Sequence, residues 1–146
     1  MRMTKYSDYA LRVLIYLACI PKGELTTIAR LSAAYSISEN HIRVVVNNLG
    51  QSGFIRTLPG KGGGISLVLD PHEINLADVV RQTEKDFFIV ECFNPEGNCQ
   101  IEKACMLKHV LDEAFHSFMD TLEQYTLADV TGNKNKLKTL LNVGVA

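Results

Sequence analysis

Three of the four cysteines lie close together in the second half of the chain. Cys92, Cys99 and Cys105 follow the spacing C-x6-C-x5-C, with Pro95 and Gly97 in the first interval. Polar and charged residues surround them, whereas cysteines that serve only as core residues lie among apolar neighbours. Three thiolates on one loop can converge on one centre, and sulfur ligands favour an iron–sulfur cluster, zinc or copper(I) over magnesium or calcium. The sequence therefore predicts a metal centre.

The cysteine spacing alone does not identify the metal. The paired C-x2-C spacing of many structural zinc sites is absent, and so is the C-x2-C-x2-C run of bacterial ferredoxins. A fourth ligand must come from elsewhere, or one position stays open. Cys19 lies on the apolar face of the first predicted helix and is left out of the site, because such a thiol is an ordinary core residue.

Acidic and basic residues are unevenly distributed, although the net charge is only -1. Residues 1–70 carry eight Lys or Arg against four Asp or Glu, and residues 71–130 carry four against twelve. Three further lysines follow in the last sixteen residues. This division favours a DNA-binding unit joined to a sensing or dimerising unit over the uniform surface of an enzyme.

Residues 1–70 have the pattern of a winged helix. Two short helices separated by a few residues form a helix-turn-helix, and a hairpin with a glycine-rich turn follows. That turn lacks the Gly-Lys-Ser/Thr ending of a nucleotide-binding loop, which disfavours a nucleotide site. The predicted elements are helices over about 7–19, 26–35 and 38–50 and strands over 54–58 and 65–69.

The second helix of the helix-turn-helix supplies candidate DNA contacts. Ser38 is the predicted N-cap, and the first exposed residues, Glu39 among them, are placed to meet base edges in the major groove. A phosphate contact is the alternative for Arg43, and a solvated side chain is the alternative for Asn40. Lys61 in the hairpin turn is expected to contact a phosphate. The candidate DNA-binding residues are Ser38, Asn40, His41, Arg43 and Lys61.

A long helix is predicted over about 101–125. Its apolar positions step by three and four residues in a heptad pattern, while Val110, Phe115 and Leu122 broaden the stripe. Few other long apolar helices are available to bury this face, so a homodimer is favoured over an intrachain core helix. The heptad positions are Ala104, Leu107, Leu111, Ala114, Phe118, Thr121 and Tyr125.

The predicted fold class is mainly α with a small β-hairpin, a winged helix-turn-helix plus a long dimerisation helix. The expected organisation is a DNA-binding domain over 1–70, a cluster-binding loop and dimerisation helix over 71–130, and a flexible tail over 131–146. A symmetric dimer predicts a near-palindromic operator in double-stranded DNA, with half-sites one helical turn, about 34 Å, or a multiple apart.

Composition argues against several other classes. The chain is 47% hydrophobic and 21% charged, as in ordinary globular proteins. No apolar stretch approaches the roughly 18 residues of a membrane span, and the N-terminus lacks a signal-peptide layout, so a cytoplasmic protein without a membrane partner is expected. An enzyme or electron carrier is disfavoured, since no Ser-His-Asp set or paired acid–base constellation accompanies the cysteines. A zinc-stabilised interaction module remains a further alternative.

The chain resembles the Rrf2 family of bacterial winged-helix regulators from residue 1 to about residue 130. The resemblance implies a dimeric regulator with a long crossing dimerisation helix and an iron–sulfur cluster held by the three cysteines. A 4Fe-4S cluster is the first expectation and 2Fe-2S the alternative. Besides the cysteines, the motifs on which the family resemblance rests are Met1–Thr4, Tyr9–Arg12, Ile37-Ser38 with His41, Gly60–Gly64, Ile74–Val79 and Tyr125–Val130.

Within this family the fourth ligand separates two groups. Members that sense cluster supply carry a His three residues after the last cysteine; here that position is Lys108, and His109 follows as a solvated histidine. Nitric-oxide-sensitive repressors resemble this chain in carrying an Asp in the first helix, here Asp8, which the family pattern delivers from the other subunit. A carboxylate is a weak, displaceable ligand for cluster iron. The alternative for Asp8 is a helix-start acid that interacts with the macrodipole.

The resemblance thus implies a repressor that releases DNA when nitric oxide damages its cluster. A regulator that senses cluster supply or oxidative stress is the runner-up. Two features depart from the family pattern: the first cysteine interval has six residues, which leaves the cluster type open, and Pro59 stands where relatives often carry an Arg before the wing glycines. The second departure weakens the expectation that the wing reads the minor groove.

Overall fold

The computed structural model describes residues 2–144, and within that range no helix is long and apolar enough to cross a membrane. The chain forms a mainly helical structure with a small β-hairpin. Its helices are α1 (Lys5–Cys19), α2 (Ile28–Tyr35), α3 (Glu39–Gln51), α4 (Leu76–Thr83), α5 (Met106–Glu123), α6 (Leu127–Val130) and α7 (Lys134–Leu140), and its strands are β1 (Ile55–Leu58) and β2 (Gly64–Leu67).

Hydroxyl side chains begin the three helices of the winged-helix unit. Thr4, Thr27 and Ser38 each accept a hydrogen bond from the backbone N–H three residues further on, which satisfies a donor that the helix itself leaves unpaired. The helix α1 begins at Lys5, two residues before the predicted start, because Thr4 is its cap.

The wing is an antiparallel hairpin in which Ile55 pairs with Leu67 and Leu58 with Gly64. Thr26 adds a bridge to Ile65 through two backbone hydrogen bonds of 3.1 and 2.8 Å. A Cβ atom at Gly63 would lie only 2.0 Å from the carbonyl oxygen of Leu58, so this close turn requires glycine. The mainly helical winged-helix prediction is confirmed.

The main apolar core continues across the boundary predicted at residues 70 and 71. Leu14 of α1 and Ile42 of α3 belong to the same set of buried residues as Ile74 and Leu127. Three backbone and side-chain hydrogen bonds also join the start of α4 to the end of α5 and the start of α6. Residues 71–130 are therefore packed onto the winged-helix unit within the same chain.

A short helix lies within the C-terminal tail that the sequence predicts as flexible over residues 131–146. Within residues 131–144, Asn133 caps α7 (Lys134–Leu140), and Leu141 and Val143, just after this helix, pack against the main core. Residues 145 and 146 of the predicted tail lie outside the described range. The run of residues 131–136 has no apolar pattern, whereas the apolar residues just after α7 contact the core.

The helix α5 begins at Met106, five residues later than predicted, because short 3-10 turns occupy the preceding segment. On one side, Phe115 and Leu122 pack against Ala77, Val80 and buried Met119. Most of the heptad face is open to solvent in the single chain. Exposed side chains on it include Leu107, Ala114, Phe118, Thr121 and Tyr125.

Candidate cluster site and DNA interface

The three candidate cysteine ligands lie on the irregular segment between α4 and α5. Cys92 is in a 3-10 turn over Glu91–Phe93, Cys99 follows seven residues after Cys92, and Cys105 is the residue before α5. All three thiols are half-buried and none is in a disulfide. Cys19, by contrast, is buried on α1, and that burial raises the pKa of its thiol, as expected for a core residue.

Backbone hydrogen bonds fold this cysteine segment back on itself. The carbonyl oxygen of Glu91 accepts from Asn94, and that of Asn94 accepts from Gly97 at 2.8 Å. A Cβ atom at Gly97 would lie 2.2 Å from the Glu91 oxygen, so the segment turns tightly between the first two cysteines. A further bond of 3.2 Å runs from the N–H of Glu102 to the carbonyl oxygen of Cys99.

The chemistry of this donor set fits an iron–sulfur cluster. Partly exposed, unpaired thiols are accessible to iron, and thiolates are the usual protein ligands of such clusters. In the described single chain, however, no three His, Cys, Asp or Glu side chains are arranged so that they could hold one metal ion. Cys92, Cys99 and Cys105 are thus brought onto one loop but not to one point, and Asp8 does not join them.

A positive charge lies beside the cysteine loop. Lys108 on α5 forms an ion pair with Glu102, and the two residues bracket Cys105 in the sequence. The hydrogen bond to Glu102 is the main cause that raises the pKa of Lys108, and the nearby Cys92 contributes to the same shift. Lys108 and Cys92 also line one open cleft.

Asp8 is held by a residue of its own helix. Its carboxylate accepts hydrogen bonds from Nε and pairs with Nη2 of Arg12, both at 2.9 Å. The hydroxyl of Tyr35 donates to the carbonyl oxygen of Arg12 at 2.8 Å, and the guanidinium lies 5.9 Å from the Tyr35 ring centre. Both side chains of the pair are about half exposed, so the carboxylate remains reachable from outside the subunit.

The start of α3 combines structural and exposed residues. The Ser38 hydroxyl caps the helix and lies 3.0 Å from Nδ1 of His41, whose ring packs against Tyr9 with centres 6.0 Å apart. Both side chains thus already have partners within the subunit. Asn40 and Arg43 are exposed, and the contact of Arg43 with Glu39 is long at 3.9 Å. These two side chains are the ones most available to DNA.

Lys61 lies in the turn of the wing. The N–H of Gly63 donates to the carbonyl oxygen of Gly60 at 3.0 Å, which closes a turn around Lys61 and Gly62. Gly62 has φ of +79°, a conformation that side chains rarely adopt. The exposed ammonium group is therefore presented at the tip of the hairpin.

Comparison with known proteins decides the family. The sequence profile of Rrf2, described as an iron-dependent transcriptional regulator, matches residues 3–133. The chain belongs to the Rrf2 family. Among its relatives, the HTH-type transcriptional regulator NsrR of Bacillus subtilis is 49% identical over 144 residues, which cover 98% of this chain and 99% of the relative. The NsrR of Bacillus licheniformis is 46% identical and covers 97% and 100%.

Solved structures confirm the fold of this Rrf2 regulator. IscR of T. potens superposes with a TM-score of 0.73 and 19% identity, over 91% of this chain and 88% of that one. The oxidised form of CymR from Staphylococcus aureus gives a TM-score of 0.69 and 22% identity, over 87% and 93%. The expected classes, an Rrf2 transcriptional regulator similar to NsrR and not an enzyme, are confirmed.

Sequence reasoning missed two contacts near the candidate sites of this Rrf2 protein. The pairing of Asp8 with Arg12 follows the i, i+4 spacing of helical ion pairs, so the sequence contained its signal. The pairing of Glu102 with Lys108 has no such regular spacing, because a 3-10 turn and the start of α5 lie between the two residues. Only the folded segment brings these side chains together.

Proposed function

We propose that this Rrf2 regulator is a DNA-binding transcriptional repressor whose iron–sulfur cluster senses nitric oxide. Cys92, Cys99 and Cys105 hold the cluster, a 4Fe-4S cluster in the first instance, and Asp8 of the other subunit supplies the fourth ligand. Damage to the cluster releases the operator. Similarity to NsrR regulators over nearly the whole chain and three free thiols on one loop support this assignment.

The cluster, when bound, supplies iron that nitric oxide binds strongly. The chain's own residues explain why the bond between Asp8 and the cluster iron is weak. Asp8 is a carboxylate, a poorer ligand for cluster iron than a thiolate, and Arg12 offers it an alternative partner at 2.9 Å. Once released, the Asp8 side chain can therefore return to an ion pair within its own helix.

One side-chain contact couples the helix that carries Asp8 to the recognition helix. Tyr9, the residue after Asp8, packs its ring against His41 in the first turn of α3. The buried residues of α1 and α3 also share one core, so α1 and the recognition helix move together. A bond from Asp8 to iron in the partner subunit would therefore hold the recognition helix at a defined distance from its counterpart.

A homodimer is part of the proposal. The apolar heptad face of α5 is largely exposed in the single chain, whereas its other side is covered by Phe87 and Val80. An exposed apolar stripe beside a packed one is typical of a helix that pairs with a partner. Two recognition helices would then read a near-palindromic operator, because the second half-site adds affinity through effective concentration.

The test uses the full chain, reconstituted anaerobically with iron and sulfide. Operator binding is measured by fluorescence anisotropy for the cluster-loaded form, for the same form after stoichiometric nitric oxide, and for the cluster-free form, with native mass determination alongside. We expect tight operator binding by the loaded dimer, loss of binding after nitric oxide, and a dimer mass throughout.

Three results would contradict the proposal in different ways. Equal operator affinity in all three forms would eliminate cluster-gated repression. Tight binding by the cluster-free form alone would favour the runner-up, a regulator that senses cluster supply. One bound zinc, no visible absorbance and no DNA affinity would favour a zinc-stabilised interaction module.

A further inference from the structure

The recognition helix α3 carries a valine on its outer face. Val44 is 55% exposed, and within the described residues it is the one large apolar side chain of α3 that is strongly exposed. Valine is a poor helix former, since its branched side chain loses rotamer freedom in a helix. Neither core packing nor helix propensity accounts for a valine at this position. The buried face of α3 consists of Ile42, Val45, Val46 and Leu49.

Polar side chains surround this valine on the helix surface. Asn40 precedes it by four residues and Asn47 follows it by three, so both lie beside it on the same face, and both are exposed. Arg43 is exposed next to it. The outer face of α3 therefore offers hydrogen-bonding groups with a single apolar group at their centre.

The position along the helix also suits contact with bases. Val44 is the sixth residue of α3 and lies about 7.5 Å from its first residue at 1.5 Å per residue. Residues in the first turns of a recognition helix are those that reach base edges in the major groove. The apolar group that base edges present there is the C5 methyl of thymine.

We propose that Val44 reads a thymine in each operator half-site by packing against its C5 methyl group. The inference rests on the proposed DNA binding and extends it by one specificity-determining residue. A protein partner would need a wider apolar surface, whereas Val44 stands alone among polar residues on α3. A contact of methyl size is what this arrangement can supply.

The test removes only the methyl group from the DNA. An operator is selected from a random duplex pool with the full-length, cluster-loaded protein, and each thymine is then replaced in turn by uracil, which lacks the C5 methyl. For the wild type we expect one position per half-site at which uracil weakens binding about four-fold, the equivalent of ~0.8 kcal/mol for one buried methyl-sized group. Replacement in both half-sites should weaken it about sixteen-fold.

The matched variant removes the other side of the contact. Val44→Ala should weaken binding to the thymine operator and should no longer distinguish thymine from uracil at that position. Val68→Ala is the control, because Val68 is equally exposed at 54% but lies outside α3. This control should keep both the wild-type affinity and the wild-type response to uracil.

Several outcomes would overturn the inference. If the wild type responds to uracil at no position, or if Val44→Ala keeps the full response, Val44 does not read a thymine methyl. Equal weakening of Val44→Ala on all duplexes would assign the side chain to sugar–phosphate contact instead. If no duplex is selected at all, the proposed DNA binding fails and this inference fails with it. Selection of an operator without a response to uracil would overturn only the role of Val44.

Discussion

Glu84 accepts two hydrogen bonds from Thr4, one from the backbone N–H at 2.9 Å and one from the hydroxyl at 3.1 Å. Thr4 is the N-cap of α1, and Glu84 follows the last residue of α4. One carboxylate therefore connects the start of the helix that carries Asp8 to the start of the segment that leads to Cys92.

Replacement of Glu84 should destabilise the folded chain. We expect Glu84→Ala to lower the free energy of unfolding by about 1 kcal/mol, since two hydrogen bonds at a helix cap are lost at a partly exposed site. Glu84→Gln should retain much of the wild-type stability, because the amide oxygen can still accept hydrogen bonds from Thr4. Urea denaturation measures the effect. Glu24→Ala, at an exposed glutamate, is the control, and an equal loss there would contradict a specific role for Glu84.

The three loop cysteines should each be required for the cluster. After anaerobic reconstitution the wild type should be brown, while Cys92→Ser, Cys99→Ser and Cys105→Ser should each lack the visible absorbance and the bound iron and sulfide. Cys19→Ala should keep the colour, because Cys19 is a buried core residue for which alanine introduces no unpaired polar group. A normal cluster in any of the three loop variants would remove that cysteine from the ligand set.

Two variants on α1 should separate the two explanations for Asp8. Asp8→Ala and Arg12→Ala both break the ion pair, but only Asp8→Ala removes the proposed iron ligand. We expect a changed visible spectrum and faster loss of iron to a chelator for Asp8→Ala, with a spectrum close to wild type for Arg12→Ala. If both variants keep the wild-type spectrum and iron retention, Asp8 is only a helix-start acid paired with Arg12.

The wing lysine should contribute sequence-independent affinity. Lys61→Ala is expected to weaken binding on every duplex and to reduce the slope of log affinity against log salt by about one unit per subunit, because one phosphate contact is lost. Lys136→Ala, which removes an exposed lysine of α7, should leave the slope unchanged. Weakening confined to the specific operator, with the slope intact, would assign Lys61 to base readout.

The heptad face of α5 should mediate dimerisation. Ala114→Glu places a carboxylate in the middle of this face, and because Ala114 is exposed in the single chain, the subunit itself should stay folded. We expect a monomer mass by sedimentation with an unchanged helical circular dichroism spectrum. Ala29→Glu, the same change at an exposed position of α2, should remain a dimer. A dimeric Ala114→Glu protein would place the interface elsewhere.

The sequence by itself determined the elements that depend on local signals. Ser38 before an apolar-periodic segment predicts the start of α3, and the glycines around Lys61 predict the wing turn, since capping and positive φ values are properties of a few neighbouring residues. The three cysteines were found in the same way. Side-chain type and spacing were sufficient for the winged-helix fold and for the choice of candidate ligands.

The tertiary structure alone decided which distant groups meet. Thr4 and Glu84 are 80 residues apart, and no local pattern predicts their contact. The attachment of α7 depends on Leu141, which becomes buried only because the core of α1 offers it an apolar surface. Helix periodicity shows which face of α5 is apolar, but only packing shows that Phe115 is covered while Leu107 is exposed. Burial depends on the three-dimensional positions of other elements, and the spacing of residues along one helix does not contain that information.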